Sequence, residues 1–215
     1  LMATTTEVPG FVKLLQDAEK EGIVLDNSNQ ALDWLKSKYG TITPTQVTER
    51  QFLRETERRR TVPLLGRLYM FLYIPKTKEE LPYYDRFPLV FPFRRVTGGF
   101  YGLNLHYLSP KYRAILMDQL YNLLNNTDFD ETTRLRFTYQ LLESSSKYRW
   151  FKPCVKHYLK GHMKSQLIYI DPAEWNLALF VPSEQFRKDN KRNVWQDSYR
   201  AVSYTHLRAH ETLRY

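Results

Sequence analysis

The segment between Glu143 and Asp171 could bind an anion, because it carries six cationic side chains and no acidic one. The six are Lys147, Arg149, Lys152, Lys156, Lys160 and Lys164. The last four are spaced four residues apart, which on a helix would place them along one slowly drifting stripe. Like charges at that spacing repel, so an anion lying against the stripe explains it better than solubility does. Lysine attracts phosphate without reading bases, which favours contact with a nucleic-acid backbone.

Aromatic side chains precede this stripe, at Tyr148, Trp150 and Phe151. Exposed rings there could stack on bases. The alternative, which we favour for Trp150 and Phe151, is that they pack into the core. Further cations expected to support the same surface are Arg94, Arg95, Lys111 and Arg113.

A second candidate site is the loop formed by Tyr83, Tyr84, Asp85 and Arg86. The acid beside a tyrosine could act chemically. More often, an aspartate after such a turn accepts backbone hydrogen bonds and fixes the loop. We favour this second interpretation.

Motifs of known enzyme classes are absent from the sequence: there is no Gly-rich phosphate loop, Gly-x-Ser-x-Gly or His-Glu-x-x-His. A metal-dependent nuclease would need convergent carboxylates near a lysine, a role open to Asp85, Glu174 and Lys164. Nothing local supports that arrangement, and we expect His106 to be a satisfied core or turn histidine. The sequence therefore favours a protein that is not an enzyme and needs no cofactor or metal.

The chain has 215 residues, 42% of them hydrophobic, and a formal net charge of +9, so it can bury a core and attract phosphate backbones. Its single cysteine, Cys154, allows no internal disulfide and is expected to be a buried small hydrophobe. No run approaches the ~20 apolar residues that span a bilayer, and no signal-peptide pattern is present. We expect synthesis in a reducing cytoplasm and no membrane partner.

Helical spacing predicts helices over 10–21 and from Asn27 or Ser28 to about Gly40. A helical block follows later: one helix from Ser109-Pro110 to Asn125-Asn126, one from Asp130 or Thr132, and one from Pro153 toward Lys164. Five strands are predicted, at Leu64–Ile74, Phe87–Arg95, Phe100–Tyr107, Leu167–Ile170 and Leu177–Val181. Pro88 and Pro92 require the second of them to be an edge or bulged strand, and Gly98-Gly99 predicts a turn after it.

These elements predict an α+β fold, with a small antiparallel sheet or partial barrel and an inserted helical block. Residues 1–60 are expected to form an N-terminal helical appendage and 61–200 the core domain. Residues 201–215 have no amphipathic period, and Val202–Thr212 looks like the translation of a library adapter, so this tail is set aside as an artefact. Leu1 before Met2 likewise suggests a gene fragment.

Four phrases carry a family resemblance: Leu65–Phe71, Leu81–Leu89, Gly99–Leu108 and Trp175–Pro182. Together they resemble a conserved protein of T-even-like marine phages, including cyanophages, that is described as a DNA end protector or virion structural protein. The resemblance covers about residues 60–200. It implies a late-gene product that shields the ends of packaged DNA from host exonuclease or sits at the head–neck region. It implies no catalytic residue.

Three hypotheses follow from the sequence. The leading one is a non-enzymatic virion protein that binds duplex DNA ends through Lys147–Lys164. The second is a structural component that meets other phage head or neck proteins without contacting DNA. The third, a metal-dependent nuclease, has the least support.

Overall fold

The fold is α+β, built around an open six-stranded antiparallel sheet. The computed structural model describes residues 10–24, 29–39, 56–124, 128, 130–147, 151–175 and 184–200. The six strands are β1 (Arg59–Arg60), β2 (Leu68–Met70), β4 (Leu89–Val96), β5 (Gly99–Asn104), β6 (Val155–Leu159) and β7 (Leu167–Ile170). Their order across the sheet is β1-β7-β2-β4-β5-β6. Two short strands, β3 (Tyr84–Asp85) and β8 (Phe186–Arg187), form a separate antiparallel pair. The predicted fold class is confirmed, whereas the predicted strand at Leu177–Val181 lies outside the described residues.

The described helices are α1 (Phe11–Lys20), α2 (Asn29–Tyr39), α3 (Pro110–Leu124), α4 (Glu131–Lys147) and α5 (191–200). Helices α1 to α4 confirm four of the sequence predictions. The side chain of Asp130 caps α4 by accepting a hydrogen bond from the Thr133 amide at 2.7 Å. No helix in the described part of the chain is long and apolar enough to cross a membrane.

Strand β4 lies in the middle of the sheet, between β2 and β5. Its register shifts between Pro92 and Arg94, which confirms the bulged alternative that the prolines required. The predicted turn after it is also confirmed, and Gly98 adopts a positive φ of 77° there. The hairpin places Arg94 and Arg95 beside Tyr101 and Phe100 of β5.

Both faces of the sheet are apolar, because alternate side chains along each strand contribute to two different clusters. One face packs against the helices and includes Leu68, Phe91 and Ile168. The opposite face carries an aromatic cluster: Tyr69, Phe71, Tyr73, Phe100 and Tyr158. The helices thus cover one side and leave the aromatic side to form the inner wall of a cavity.

Helix α1 joins the main core through Phe11, Leu14 and Ala18. The carboxylate of Asp118 on α3 accepts hydrogen bonds from the first backbone amides of α1, including Val12 N–H at 3.0 Å. A carboxylate at this position satisfies free amides and complements the helix dipole. Helix α1 is therefore packed into the core, although it belongs to the segment expected as an appendage. The boundary at residue 60 stays a prediction.

The predicted helix from Pro153 to Lys164 is wrong. Pro153 lies in a single 3₁₀ turn, Lys152–Cys154, and the chain then enters β6. Strand β6 pairs along its whole length with β5, from Leu103↔Val155 to Gly99↔Leu159. The ladder of hydrogen bonds with β5 outweighs the local helical spacing, and Val155 and Tyr158 are of residue types that favour strands.

Beyond β6, the chain folds back across the aromatic face as the crossover segment, Lys160–Lys164. The amide of Ile74 donates to the carbonyl of His162 at 3.2 Å, and the amide of Lys164 donates to the carbonyl of Leu72 at 2.7 Å. Between them, Tyr73 and Met163 form an isolated antiparallel bridge. The crossover segment therefore ties the β6 edge of the sheet to the end of β2.

Candidate nucleic-acid interface

Strand β6 positions the lysine row, which we define as Lys152, Lys156, Lys160 and Lys164. Lys152 precedes the strand, Lys156 lies within it, and the other two belong to the crossover segment. Since β6 is an outer strand that spans about 13 Å, the row follows one edge of the sheet rather than one face of a helix. Lys152, Lys160 and Lys164 are exposed, whereas Lys156 is partly buried.

The charges of the lysine row are not neutralised by acids in the described part of the chain, where none of the four forms an ion pair. The row therefore keeps the property that made it a candidate, a local excess of positive charge. A structural role is also consistent with its position. Lysines on an outer strand prevent edge-to-edge pairing with another sheet.

The other predicted cations differ in their surroundings. Arg94 is exposed but forms an ion pair with Glu143 at 2.7 Å. The exposed Arg95 donates to the carbonyl of Pro63, and Lys111 is exposed at the start of α3. Arg113 is buried and paired with Glu184, so it cannot contribute to an outer cationic surface.

Four residues of the prediction fall outside what the structure describes: Tyr148, Arg149 and Trp150, and the side chain of Lys147. Phe151 is partly buried and packs against the main core, as favoured for it. Cys154 is fully buried in the same core, which confirms its prediction as a small hydrophobe. Burial raises the pKa of its thiol to about 12.

A cavity of about 480 Å³ opens beside β6, between the strand and the segment Pro75–Asp85. This volume lies in the range of small-molecule binding sites. Its polar lining includes Lys156, Asp85 and Asn104. Its aromatic lining includes Tyr73, Tyr83, Tyr84, Tyr107 and Tyr158. The predicted loop site and the lysine row thus meet in one cavity, through Lys156.

Lys156 reaches this cavity because it lies opposite Gly102 in the β5–β6 ladder. Its Nζ lies 3.9 Å from the centroid of the Tyr107 ring, a cation–π contact. Burial lowers the pKa of its ammonium group, since desolvation penalises the charged form. Burial also raises the pKa of Tyr107 and of Tyr158, so both hydroxyls stay protonated at neutral pH.

Asp85 fixes the floor of the cavity by accepting hydrogen bonds from three groups. These are the Phe87 amide at 3.1 Å, the Asn104 side-chain amide at 3.1 Å, and Nδ1 of His106 at 2.7 Å. Asn104 in turn accepts from the His106 amide at 3.0 Å and hydrogen-bonds Tyr158. The loop-fixing interpretation of Asp85 is therefore what the geometry shows, and His106 is a satisfied core histidine, as predicted.

The polar network continues behind the cavity to a second buried ion pair. The His106 carbonyl accepts from Arg113 at 3.3 Å and from the Trp195 indole at 2.8 Å. The guanidinium of Arg113 binds the carboxylate of Glu184, and both side chains are almost completely buried. This network connects the cavity floor to α5.

Carboxylates do not assemble into a metal site within the described ranges, where no group of three or more His, Cys, Asp or Glu side chains could hold an ion. Two of the three residues considered for a nuclease have other partners. Asp85 binds His106 and Asn104, and Glu174 binds Arg58 through both carboxylate oxygens.

Comparison with known families identifies the chain. The family described as phage T4 terminal DNA protecting protein matches residues 23–201. The chain belongs to this family. No curated protein and no solved structure matches the chain. The match begins well before the recognisable phrases and includes α2. The lysine row and every residue of the cavity also lie within the terminal DNA protecting family's matched range.

The sequence alone did not indicate several residues of the cavity. Asn104, Tyr107, Tyr158 and Tyr73 were assigned only to strands or helices. Glu184, which lies outside the cavity in the buried pair with Arg113, was assigned to no element. One signal was present: Asn104 and His106 are polar residues inside the apolar run Leu103–Leu108. Buried polar groups need partners, so this pair indicated a buried hydrogen-bond network.

The Glu184–Arg113 pair should make the free energy of unfolding depend on pH in the acidic range. Burial opposes ionisation of Glu184, but the charge of Arg113, with a smaller contribution from His106, outweighs it and lowers the pKa to about 2. A lowered folded pKa stabilises the protein above the ordinary value of 4.5, and this stability is lost as pH falls toward 2. We expect the free energy of unfolding to fall by roughly 3 kcal/mol from this group between pH 5 and pH 2.

Urea titrations at several pH values measure this loss. The Glu184→Gln variant is the reference because it lacks the titrating group, so its stability should depend less steeply on pH below 4.5. Equal slopes for the two proteins would contradict the assignment.

Proposed function

We propose that this protein binds the ends of duplex phage DNA without catalysing a reaction and protects them from host exonuclease as a component of the virion. The observation that carries the proposal is the lysine row, which has no neutralising acid among the described residues and occurs in a chain of the terminal DNA protecting family. Counterion release from DNA would supply most of the affinity.

Charge reversal tests the lysine row directly. Lys160→Glu/Lys164→Glu should weaken binding to a blunt duplex at least tenfold. It should also make the affinity fall less steeply with salt, by the amount expected for the loss of about two phosphate contacts. Gel-shift titrations at 50 and 200 mM salt measure both effects. Lys13→Glu/Lys20→Glu is the matched control, since it makes the same charge change on exposed residues of α1.

The two double variants separate the possible outcomes. Equal losses would mean that only net charge matters and that the lysine row is not the interface. A wild-type protein that binds no duplex, but co-purifies with phage head or neck proteins, would favour the purely structural role. In a digestion assay with a processive exonuclease, the wild type should preserve a labelled blunt duplex and the row variant should not.

A further inference from the structure

Lys156 is the one member of the lysine row that also lines the cavity. The exposed lysines beside it could lie along a DNA backbone, whereas Lys156 points to the side of the sheet that carries the aromatic cluster. A duplex held against the row would thus bring its backbone to the mouth of a cavity of about 480 Å³. That volume is within the range that accommodates a small ligand such as one nucleotide.

Lys156 forms no ion pair with the residues that the structure describes. The side chain is partly buried, and its ammonium group contacts the Tyr107 ring rather than a carboxylate. The nearby carboxylate of Asp85 is already occupied by Phe87, Asn104 and His106. A bound anion would supply the missing negative charge, and the low local dielectric would strengthen the contact.

The cavity walls suit a nucleobase. Tyr83 is only partly buried, and it lies beside Tyr107 with the ring centroids 6.2 Å apart. Nucleobases stack on tyrosine rings regardless of sequence, which is the property required to hold any DNA terminus. The hydrogen bonds of Asp85 and Asn104 fix the floor below these rings before a ligand arrives, so binding requires little reordering there.

From this geometry we propose that the cavity takes the terminal nucleotide of a DNA strand, with its 5′-phosphate on Lys156 and its base against Tyr83. The inference rests on the proposed function and adds how an end is distinguished from the interior of a duplex. A terminal phosphate monoester carries nearly −2 charge, about twice that of an internal phosphodiester. An internal nucleotide is also joined to the chain on both sides, so it can enter the cavity only if the strand bends around it.

Three forms of one short duplex test the proposal: open blunt ends with 5′-phosphates, open blunt ends with 5′-hydroxyls, and both ends closed by hairpin loops. The wild-type protein should bind the phosphorylated form about tenfold more tightly than the closed form, with the hydroxyl form between them. Lys156→Met, which keeps the apolar stem, should lose most of this preference, because its affinity for the open phosphorylated form should fall more than its affinity for the closed form. Lys164→Met, outside the cavity, should weaken binding to all three forms by the same factor.

A second variant, Tyr83→Leu, should reduce the preference for open ends severalfold without removing the phosphate effect. Thermal unfolding of each variant separates a local effect from lost folding. Equal affinity of the wild type for open and closed duplexes would overturn the inference and leave duplex binding intact. A preference that survives in Lys156→Met would overturn it as well. If the wild-type protein bound none of the three forms, the proposed function itself would be overturned.

Discussion

Replacing Glu184 with glutamine is expected to lower the free energy of unfolding by about 3–5 kcal/mol. Glutamine preserves the size of the side chain but leaves the buried guanidinium of Arg113 without a counter-charge. The carbonyls of Leu108 and His106 still accept hydrogen bonds from Arg113, at 2.8 and 3.3 Å, but they do not neutralise it. Urea denaturation at pH 7 measures the loss.

The double variant Arg113→Met/Glu184→Gln is the control. It removes both charges, so it should be more stable than the single Glu184→Gln variant even though it carries one more substitution. The charge-pair explanation fails if the single variant is as stable as the wild type. It also fails if the free energy of unfolding of the double variant falls by the sum of the losses in Glu184→Gln and Arg113→Met.

Gly99→Ala should separate β6 from β5. A Cβ atom at this position would lie 2.1 Å from the carbonyl oxygen of Tyr158, which is backbone and cannot rotate away. Relief requires the two strands to move apart, and we expect a loss of roughly 3 kcal/mol or more, at the upper end of overpacking effects. Because Lys156 and Tyr158 belong to β6, the cavity wall should move with the strand.

Gly161→Ala provides the matched control for this substitution. It lies two residues beyond β6, its Cβ would meet no atom within 4 Å, and its φ is not positive. Thermal unfolding should place Gly161→Ala near the wild type and Gly99→Ala well below it. Hydrogen exchange should show faster exchange of the β6 amides in Gly99→Ala. Similar stability of the two variants would contradict the close β5–β6 approach.

Elements with local signals could be predicted from the sequence. The Ser109-Pro110 start of α3, the aspartate cap of α4 and the Gly98 turn each depend on residues within a few positions of one another. The prolines of β4 required either an edge or a bulge, and the sequence offered no means of choosing. The choice depends on β2 and β5, which flank the strand.

The segment around β6 was predicted wrongly because a spacing of four residues fits two structures. Residues i and i+4 lie on one face of a helix, but they also lie on one face of a strand, whose side-chain period is two. Val155–Leu159 is too short for its own sequence to decide between them. Pairing with β5, more than fifty positions earlier in the chain, decides it.

The candidate site was predictable only in part, since its members come from distant segments. The lysines and the Tyr83–Arg86 loop were recognisable by type, but their meeting at one cavity depends on the sheet. The same holds for Arg113, whose charge looked available until its partner 71 positions away was known. Asn104, though close to His106 in sequence, acquires its role from Asp85.

The crossover segment makes the proposed DNA binding depend on segments that lie far apart in the chain. It joins His162 to Ile74, residues 88 positions apart, and β6 is made only after both long helices of the inserted block. A growing polypeptide released only as far as Tyr107 would expose tyrosines of the cavity and have no Lys156 to face them. On the proposed function, nascent chains that lack β6 would therefore not compete for DNA termini.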